Sequence, residues 1–312
     1  MAEMHNTGIL LESGTNEIEI MEFTINGNLY GINVAKVKEI MIAAPVKPMP
    51  HAHPAVEGIF KPRDDVLTVV DLPKYLSGVD GDRGERDIFI VTNFNKMFIA
   101  FRVHSVVQIS RISWGDIQKP GKTVSGGAES VATGIAQCGA DLVTILDFER
   151  IVAEIAPETS IQMEEIDAMG PRARNERPIW IAEDSILLSK MIENSLRKAG
   201  YVNLRMHPNG RELWDNLNEL PRDADLASHV ALVITDIEMP QMDGHRLTKL
   251  IKDSERFKSI PLIIFSSLIS EEMRIKGRQL GADEQLTKPE IGHLVDVMDH
   301  LLVKAAQAKA GK

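Results

Sequence analysis

Cysteine and long apolar runs are almost absent from this sequence of 312 residues. The single cysteine, Cys138, cannot form an intrachain disulfide, which fits a reducing compartment. It lies in an apolar-leaning stretch, so we interpret it as a buried, inert thiol. No apolar run approaches the ~20 residues of a membrane span, and the first residues do not resemble a signal peptide. We therefore expect a cytoplasmic protein with no direct insertion into a membrane.

Positive charge is also scarce. The formal net charge is −10, and neither half of the chain is basic. Broad electrostatic binding to nucleic acid is therefore not expected, because it needs a basic surface. The composition, 44% hydrophobic and 26% charged, is that of an ordinary globular protein, and the length suits two domains.

Short strands dominate the first half of the sequence. The alternation in 18–32, interrupted by an Asn-Gly-Asn turn, predicts a hairpin. A last hairpin is predicted with its turn at 139–141, followed by a helix around 148–155. Many short strands with glycine and proline turns indicate a sandwich or a barrel. No catalytic combination of residues assembles here, so we interpret this half as a binding module.

The composition also divides the chain. We predict a loosely held leader at 1–17, a β-rich domain at 18–157 and an α/β domain at 177–312. The segment 158–176 between the two domains is polar and interrupted by prolines, which is typical of a linker, with a partial helix at 160–168.

The hydrophobic period changes after residue 177. Short apolar runs then alternate five times with segments of helical spacing. The clearest run, 231–234, is continuous, as expected of a strand buried on both faces of a parallel sheet, and it ends in Thr235 and Asp236. Five strand–helix units of this kind predict a doubly wound, (βα)5 flavodoxin-like α/β domain.

Polar residues follow several of these strands. Glu183 and Asp184 follow the first strand, Asp236 the third, Ser266 the fourth and Lys288 the fifth. The carboxyl ends of these strands converge in a doubly wound sheet, so the side chains should meet. Grouped carboxylates tolerate one another when a hard cation such as Mg²⁺ lies between them. The alternative is a set of unrelated strand-end residues, which the ordered combination disfavours.

This combination fits phosphoryl transfer. An aspartate at the position of Asp236 can act as the nucleophile on phosphorus and form an acyl phosphate. A hydroxyl and an ammonium group opposite it, from Ser266 and Lys288, can hold the phosphoryl oxygens.

Residues 178–305 resemble the receiver domain of two-component response regulators. The resemblance implies that Asp236 receives a phosphoryl group from the phosphohistidine of a histidine kinase, with Lys288 and Ser266 completing the site. It also implies Mg²⁺ held by Glu183 or Asp184, by Asp236 and by the backbone carbonyl of Glu238. Receivers usually carry an aromatic residue three positions before the lysine, where this chain has Gln285.

Three segments of the first half, MEFTINGNLYGINVAKVKEI, GIFKPRDDVLTVVDL and TGIAQCGADLVTILDFERI, resemble the CheW-like coupling domain of bacterial chemotaxis. The resemblance implies an all-β fold of two packed five-stranded, SH3-like barrels. It also implies that Val37, Glu39 and Arg63 contact chemoreceptors, and that an apolar barrel surface contacts the kinase CheA.

A coupling domain followed by a receiver suggests a chemotaxis adaptor that links chemoreceptors to CheA in arrays at the inner membrane. Its coupling would be modulated by Mg²⁺-dependent phosphorylation of Asp236. The alternative is a phosphate sink that drains phosphoryl groups from CheA. A DNA-binding response regulator is disfavoured, since the other half is acidic and β-rich. We do not expect an enzyme in the ordinary sense, because a receiver catalyses only its own phosphorylation and dephosphorylation.

Overall fold

The computed structural model has two domains joined by a short helical segment. It describes residues 16–63, 65–79, 83–84, 86–94, 97–118, 131–156, 163–222, 225–267, 271–288 and 290–310. Residues 1–15 of the predicted leader and 158–162 of the predicted linker lie outside this range.

The β-rich domain consists of two five-stranded sheets with the same arrangement. One sheet has the order β8-β1-β2-β10-β9 and the other the order β3-β6-β7-β5-β4. In each, a hairpin pairs in parallel with one strand of a second hairpin. The strands are β1 Glu17–Ile25, β2 Asn28–Asn33, β3 Val37–Ile42, β4 Val56–Phe60, β5 Leu67–Asp71, β6 Ile88–Phe94, β7 Met97–Val103, β8 Ser105–Ser113, β9 Ala132–Cys138 and β10 Asp141–Leu146.

Short helical segments connect these strands. The predicted first hairpin is confirmed, and its turn residues Asn26 and Gly27 have φ angles of 50° and 77°, as a two-residue turn of the primed type requires. The described residues of this domain also form 3₁₀ helices Val34–Lys36 and Trp114–Asp116, helix α1 Leu72–Ser77 and helix α2 Phe148–Ile155. Helix α2 begins and ends where the sequence predicts.

Each sheet has a core of its own and also contributes to a core shared by the two sheets. Along β1, Ile18 and Ile20 face a core inside the first sheet, whereas Phe23 and Ile25 face the second sheet. Helix α2 adds Phe148 to the core between the sheets. Cys138 is buried in the first core, as predicted.

The α/β domain is a parallel sheet of order β12-β11-β13-β14-β15. The predicted fold is confirmed, with one additional short helix, α6. The elements are α3 Met163–Ala168, β11 Ile179–Ala182, α4 Ile186–Lys198, β12 Leu204–His207, α5 Gly210–Glu219, α6 Leu226–His229, β13 Leu232–Thr235, α7 Gly244–Asp253, β14 Leu262–Ser266, α8 Glu271–Gln279, β15 Glu284–Thr287 and α9 Ile291–Ala310.

Two further observations concern the predicted linker and the possibility of a membrane-spanning helix. Helix α3, inside the predicted linker, is not a free spacer, because Ile166 is 2% exposed and belongs to the same core as residues of α4 and α9. Over the part of the chain that the structure describes, no helix combines the length and apolarity needed to cross a bilayer.

Candidate functional site

Asp236 lies at the carboxyl edge of the α/β sheet, directly after β13. Its backbone nitrogen donates to Ala182 O at 2.9 Å, which aligns it with the end of β11. Its Oδ1 accepts a 2.6 Å hydrogen bond from Ile237 N. The first residue of α7 must be glycine, because a Cβ on Gly244 would lie 1.9 Å from Asp236 O. The loop from Asp236 to Gly244 is therefore held against the strand end in a fixed conformation.

Lys288 brings the strand ends together. Its Nζ donates to Glu183 Oε2 at 2.7 Å and to Asp236 Oδ2 at 3.0 Å. The three side chains are each 3% exposed or less, so this ion cluster is shielded from bulk water. The sequence predicted that these residues of β11, β13 and β15 would meet, and the sheet order brings them together because those strands share one edge.

The carboxylates of this edge suit a hard divalent cation. Oxygen atoms of Glu183, Asp184 and Asp236 all lie within 4.8 Å of one another. Ser185 N also donates to Glu183 Oε1 at 3.2 Å, which orients that carboxylate. A set of close carboxylate oxygens is the donor chemistry that Mg²⁺ prefers, so the residues present fit this ion.

The electrostatics of the cluster also favour a bound cation. Burial is the largest cause that raises the pKa of the Glu183 carboxyl, to about 8; the Asp236 and Glu149 carboxylates contribute to this rise, and Lys288 opposes it. Burial opposes the charge on Lys288, but the surrounding carboxylates Asp236, Glu183 and Glu149 outweigh it and raise the pKa of Lys288. Negative charge is in excess, and a bound cation relieves that repulsion.

Ser266 and Gln285 complete this edge. Ser266, the last residue of β14, is fully buried, and its carbonyl oxygen accepts from Lys288 N at 3.3 Å. Gln285 is buried under α8, where its Nε2 donates to Arg274 O at 2.8 Å and its Oε1 has no hydrogen-bond partner among the described residues. The backbone carbonyl of Glu238 as a metal ligand stays a prediction.

The β-rich domain contributes three side chains to the same place. Glu149 of α2 lies with Oε2 3.6 Å from Lys288 Nζ, and it also pairs with Lys36 Nζ at 3.3 Å. Lys36 forms a second ion pair with Glu238. Asn33 Nδ2 donates to Glu238 Oε1 at 2.5 Å. The acidic edge of one domain is therefore contacted by an acid, a base and an amide of the other.

These charges are buried and strongly coupled. Burial alone would raise the pKa of the Glu149 carboxyl, but Lys288 and Lys36 outweigh it and lower that pKa to about 2. The Ser267 hydroxyl also donates to Glu149 and lowers its pKa. For Lys36, burial opposes the charge while Glu238 and Glu149 raise its pKa. Both side chains are thus held in their charged forms between the domains.

Sequence reasoning missed Lys36, Asn33, Glu149 and the side chain of Glu238. Asn33, Lys36 and Glu149 lie inside the segments that resemble the coupling domain, but nothing there gave these side chains a role. A single charged residue beside a strand normally indicates a solvated surface. The only local signals are the cap at Asn33, whose side chain accepts from Ala35 N, and the N-terminal turn of α2 at Glu149. Neither signal reveals the contact with the other domain.

The predicted receptor-contact residues lie apart from this cluster. Val37 and Glu39 are half-buried on the outer strand β3, and Arg63 is exposed in the turn between β4 and β5. Lys38 Nζ pairs with Asp65 at 3.2 Å, which links β3 to that turn. Their contact with receptors stays a prediction.

Two family models match the chain. Residues 19–156 match the CheW-like domain, and residues 179–299 match the response regulator receiver domain. These regions correspond to the β-rich domain and to the α/β domain whose edge carries Asp236.

Relatives share both domains in this order. Chemotaxis protein CheV3 of Helicobacter pylori is 30% identical over 305 residues, which cover 93% of this chain and 96% of that protein. Chemotaxis protein CheV2 of the same organism is 26% identical, over 92% and 95% respectively. Among solved structures, the scaffolding protein TtCheW of Thermoanaerobacter tengcongensis is 24% identical over 41% of this chain and 88% of that one, with a TM-score of 0.37.

Proposed function

The chain belongs to the CheV family of chemotaxis proteins, and on this premise we propose that phosphorylation of Asp236 modulates how it couples chemoreceptors to the histidine kinase CheA. The observation that carries the proposal is the buried cluster in which Lys288 lies 3.0 Å from the Asp236 carboxylate, beside two further carboxylates. A structural ion pair needs one acid and one base, whereas this cluster has the parts of a phosphoacceptor site.

The transfer uses residues at fixed positions. An Asp236 carboxylate oxygen attacks phosphorus of the kinase phosphohistidine, the nitrogen–phosphorus bond breaks, and the imidazole leaves as its nitrogen takes up a proton from solvent. Lys288 then pairs with an oxygen of the acyl phosphate, and the Ser266 hydroxyl donates to another. Water later attacks phosphorus, which restores Asp236 and releases inorganic phosphate.

Mg²⁺ is the cofactor that the acidic edge fits. We infer that Glu183, Asp184, Asp236 and the carbonyl of Glu238 hold it, directly or through water. When bound, the ion neutralises charge on the transferring phosphoryl oxygens. Lys288, with Nζ 3.0 Å from Asp236 Oδ2, would add a second positive charge at the same carboxylate.

The receptor contact is proposed on the face that carries β3 and the β4–β5 turn. Val37 and Glu39 on the strand and Arg63 in the turn are its polar and apolar contacts. Large apolar side chains are exposed nearby, since Ile42 is 72% and Val66 is 56% exposed. Exposed apolar groups rimmed by charge are typical of protein–protein interfaces. The protein would thus work in the cytoplasm, at receptor arrays on the inner membrane.

The test reconstitutes receptors, CheA and the full-length protein with labelled ATP. The wild type should take up label, Asp236→Asn should take up none, and kinase activity in the array should differ between the two proteins. Asp215→Asn is the matched control, because it makes the same chemical change on an exposed helix of the same domain.

Three results would separate the readings. If the wild type takes up no label, phosphorylation of this receiver is excluded. Label with identical kinase coupling for wild type and Asp236→Asn excludes modulation. If coupling is unaffected and the acyl phosphate decays within seconds, the protein is a phosphate sink instead.

A further inference from the structure

The two domains meet directly over the phosphorylation site. Besides the ion pairs of Lys36 and Glu149, backbone groups join them. Gln241 N donates to Trp114 O at 2.7 Å, and Asn16 bonds the same loop twice: its Nδ2 donates to Gln241 O and its Oδ1 accepts from Asp243 N, each at 2.9 Å. Directional bonds to the loop that follows Asp236 define one relative position of the domains, which charge attraction alone would not.

This contact closes the site. Asp236 is 3% exposed, and the cavity between the domains, lined by Lys36, Glu149, Glu183 and Asp236, has room for about 30 Å³ of solvent. That volume holds one or two water molecules. A phosphohistidine on a protein donor cannot enter, so phosphoryl transfer requires the domains to separate at this edge.

The chemistry of the product also opposes the contact. An acyl phosphate on Asp236 carries about two negative charges in place of the single charge of the carboxylate, close to the buried and ionised carboxylate of Glu149. It also competes with Glu149 for the Lys288 ammonium group. Phosphorylation therefore replaces favourable cross-domain pairs by repulsion between like charges.

We propose that the coupling domain docks on the receiver as a built-in inhibitor, so that docking and phosphorylation of Asp236 exclude each other. The inference rests on the proposed function, because it requires Asp236 to be the phosphoacceptor. Linkage makes the effect reciprocal: phosphorylation favours separation of the domains, and any partner that binds the docked form slows phosphorylation.

The docked segment also connects the two functional surfaces. Lys36 ends the 3₁₀ helix that contacts Glu238, and the next residue, Val37, begins β3 on the proposed receptor face. Release of the Lys36 ammonium group therefore removes a fixed contact directly before that strand. A change at the receiver therefore alters the contacts of Lys36, the residue directly before Val37 of the proposed receptor face, without any rearrangement of the barrels.

Two variants loosen the contact without touching the phosphorylation residues. Lys36→Ala removes the cation from Glu238, and Asn16→Gly removes both side-chain bonds to the Gln241 loop. Glycine suits position 16, where φ is 69°. Lys38→Ala is the control: it removes a lysine two residues further on, which pairs with Asp65 inside the coupling domain.

Two measurements on the full-length proteins test the proposal. The first is phosphorylation of Asp236 by labelled acetyl phosphate with Mg²⁺. Since its rate follows the open fraction, we expect it to rise about tenfold in Lys36→Ala and about threefold in Asn16→Gly, with no change in Lys38→Ala. The second, without phosphodonor, is amide hydrogen exchange at residues 241–243, which should accelerate in the same order.

The outcomes distinguish the two proposals. Equal phosphorylation rates and equal exchange in wild type, Lys36→Ala and Asn16→Gly would overturn the docking inference but leave phosphorylation standing. If no protein takes up label, the proposed function fails, and mutual exclusion fails with it. If Lys36→Ala does not fold, Asn16→Gly decides alone.

Discussion

Each half of the molecule contains a buried cluster of charges, and the two clusters are built differently. In the coupling domain, Arg102 donates to both oxygens of Glu57, at 2.8 and 2.9 Å, and to Asp87 at 3.2 Å. Arg83 adds a second cation at Glu57, so two bases face two acids. At the receiver edge, a single lysine, Lys288, lies among several carboxylates.

The difference separates a structural cluster from a reactive one. A planar guanidinium binds a carboxylate through two parallel bonds and fixes its geometry, whereas an ammonium group is a point charge that adapts to new partners. In the Arg102 cluster the charges are balanced, so it has no excess charge with which to bind a further ion. The excess of acid around Lys288 carries a cost in electrostatic repulsion, which a bound cation would relieve and which Lys36 of the other domain reduces.

The largest expected effect comes from breaking the balanced cluster. Arg102→Met leaves Glu57 and Asp87 buried without their main cation, because both carboxylates are less than a tenth exposed. We expect the free energy of unfolding to fall by about 3–5 kcal/mol, as measured for buried pairs that lose one partner. Urea denaturation of the full chain measures this loss.

The control keeps the charge and removes the geometry. Arg102→Lys should lose less stability than Arg102→Met, but more than an exposed substitution, because the parallel bonds to Glu57 are lost. Equal stability of Arg102→Lys and wild type would contradict the structural role of the guanidinium group.

The receiver should also be sensitive to acid. Burial lowers the pKa of His207 to about 4 and that of His245 to about 3, and in His245 the nearby Lys276 adds to the effect. These histidines are neutral in the folded state and charged in the unfolded state below pH ~6.5. The stability that these two histidines contribute is therefore fully present above about pH 6.5 and is lost as pH falls toward 4, by roughly 3 kcal/mol for each histidine.

Far-UV circular dichroism checks this expectation, since it follows the helices of the receiver. His207→Phe keeps a ring against Trp180, whose centroid lies 5.1 Å from that of His207, and it should flatten the decrease with falling pH. The matched substitution His300→Phe, at an exposed position, should not. A decrease of the same size in His207→Phe and wild type would show that another group is responsible.

Removal of a carboxylate should change the free energy of unfolding in opposite directions in the two clusters. Without Mg²⁺, Asp236→Asn relieves repulsion at the acidic edge, and we expect it to raise the free energy of unfolding by about 1 kcal/mol. Asp87→Asn, in the balanced cluster, should lower it by about 1–3 kcal/mol, because a charge-assisted bond to Arg102 is lost. Urea denaturation in the presence of a chelator measures both values.

Mg²⁺ should reverse the order of stability of the wild type and Asp236→Asn. The ion stabilises a protein that binds it only when folded, by about 2.7 kcal/mol at a hundred times its dissociation constant. Wild type should gain this stability and Asp236→Asn much less. If Asp236→Asn is less stable than wild type even in chelator, charge excess does not govern this edge.

The comparison also explains what the sequence could predict. Strand and helix order in both halves followed from hydrophobic period and turn residues, as in the Asn26–Gly27 turn and helix α2, because those signals are local. Asp236, Glu183 and Lys288 could be grouped because a doubly wound sheet brings its strand ends to one edge.

The contact between the domains was not predictable in this way. Asn33 and Glu238, which form a hydrogen bond across the contact, are 205 residues apart in the chain, and Lys36 and Glu149 have the sequence pattern of ordinary surface charges. Their burial depends on how two finished domains pack, which leaves no periodic trace in either segment. Helix α3 was predicted, but Ile166 anchors it in the receiver core, so part of the expected spacer is fixed to one domain.

The smallest expected effect concerns Gln285, where receivers usually have an aromatic residue. A Cβ on Gly277 of α8 would lie 2.2 Å from Gln285 Oε1, so this glycine makes room for the buried amide. Gly277→Ala alone should therefore lose stability despite the ~1 kcal/mol that alanine gains over glycine in a helix. In a Gln285→Ala background, the same change should be stabilising. The coupling energy from the double-mutant cycle should be about 1 kcal/mol, and a value of zero would mean that the amide is not packed under α8 in solution.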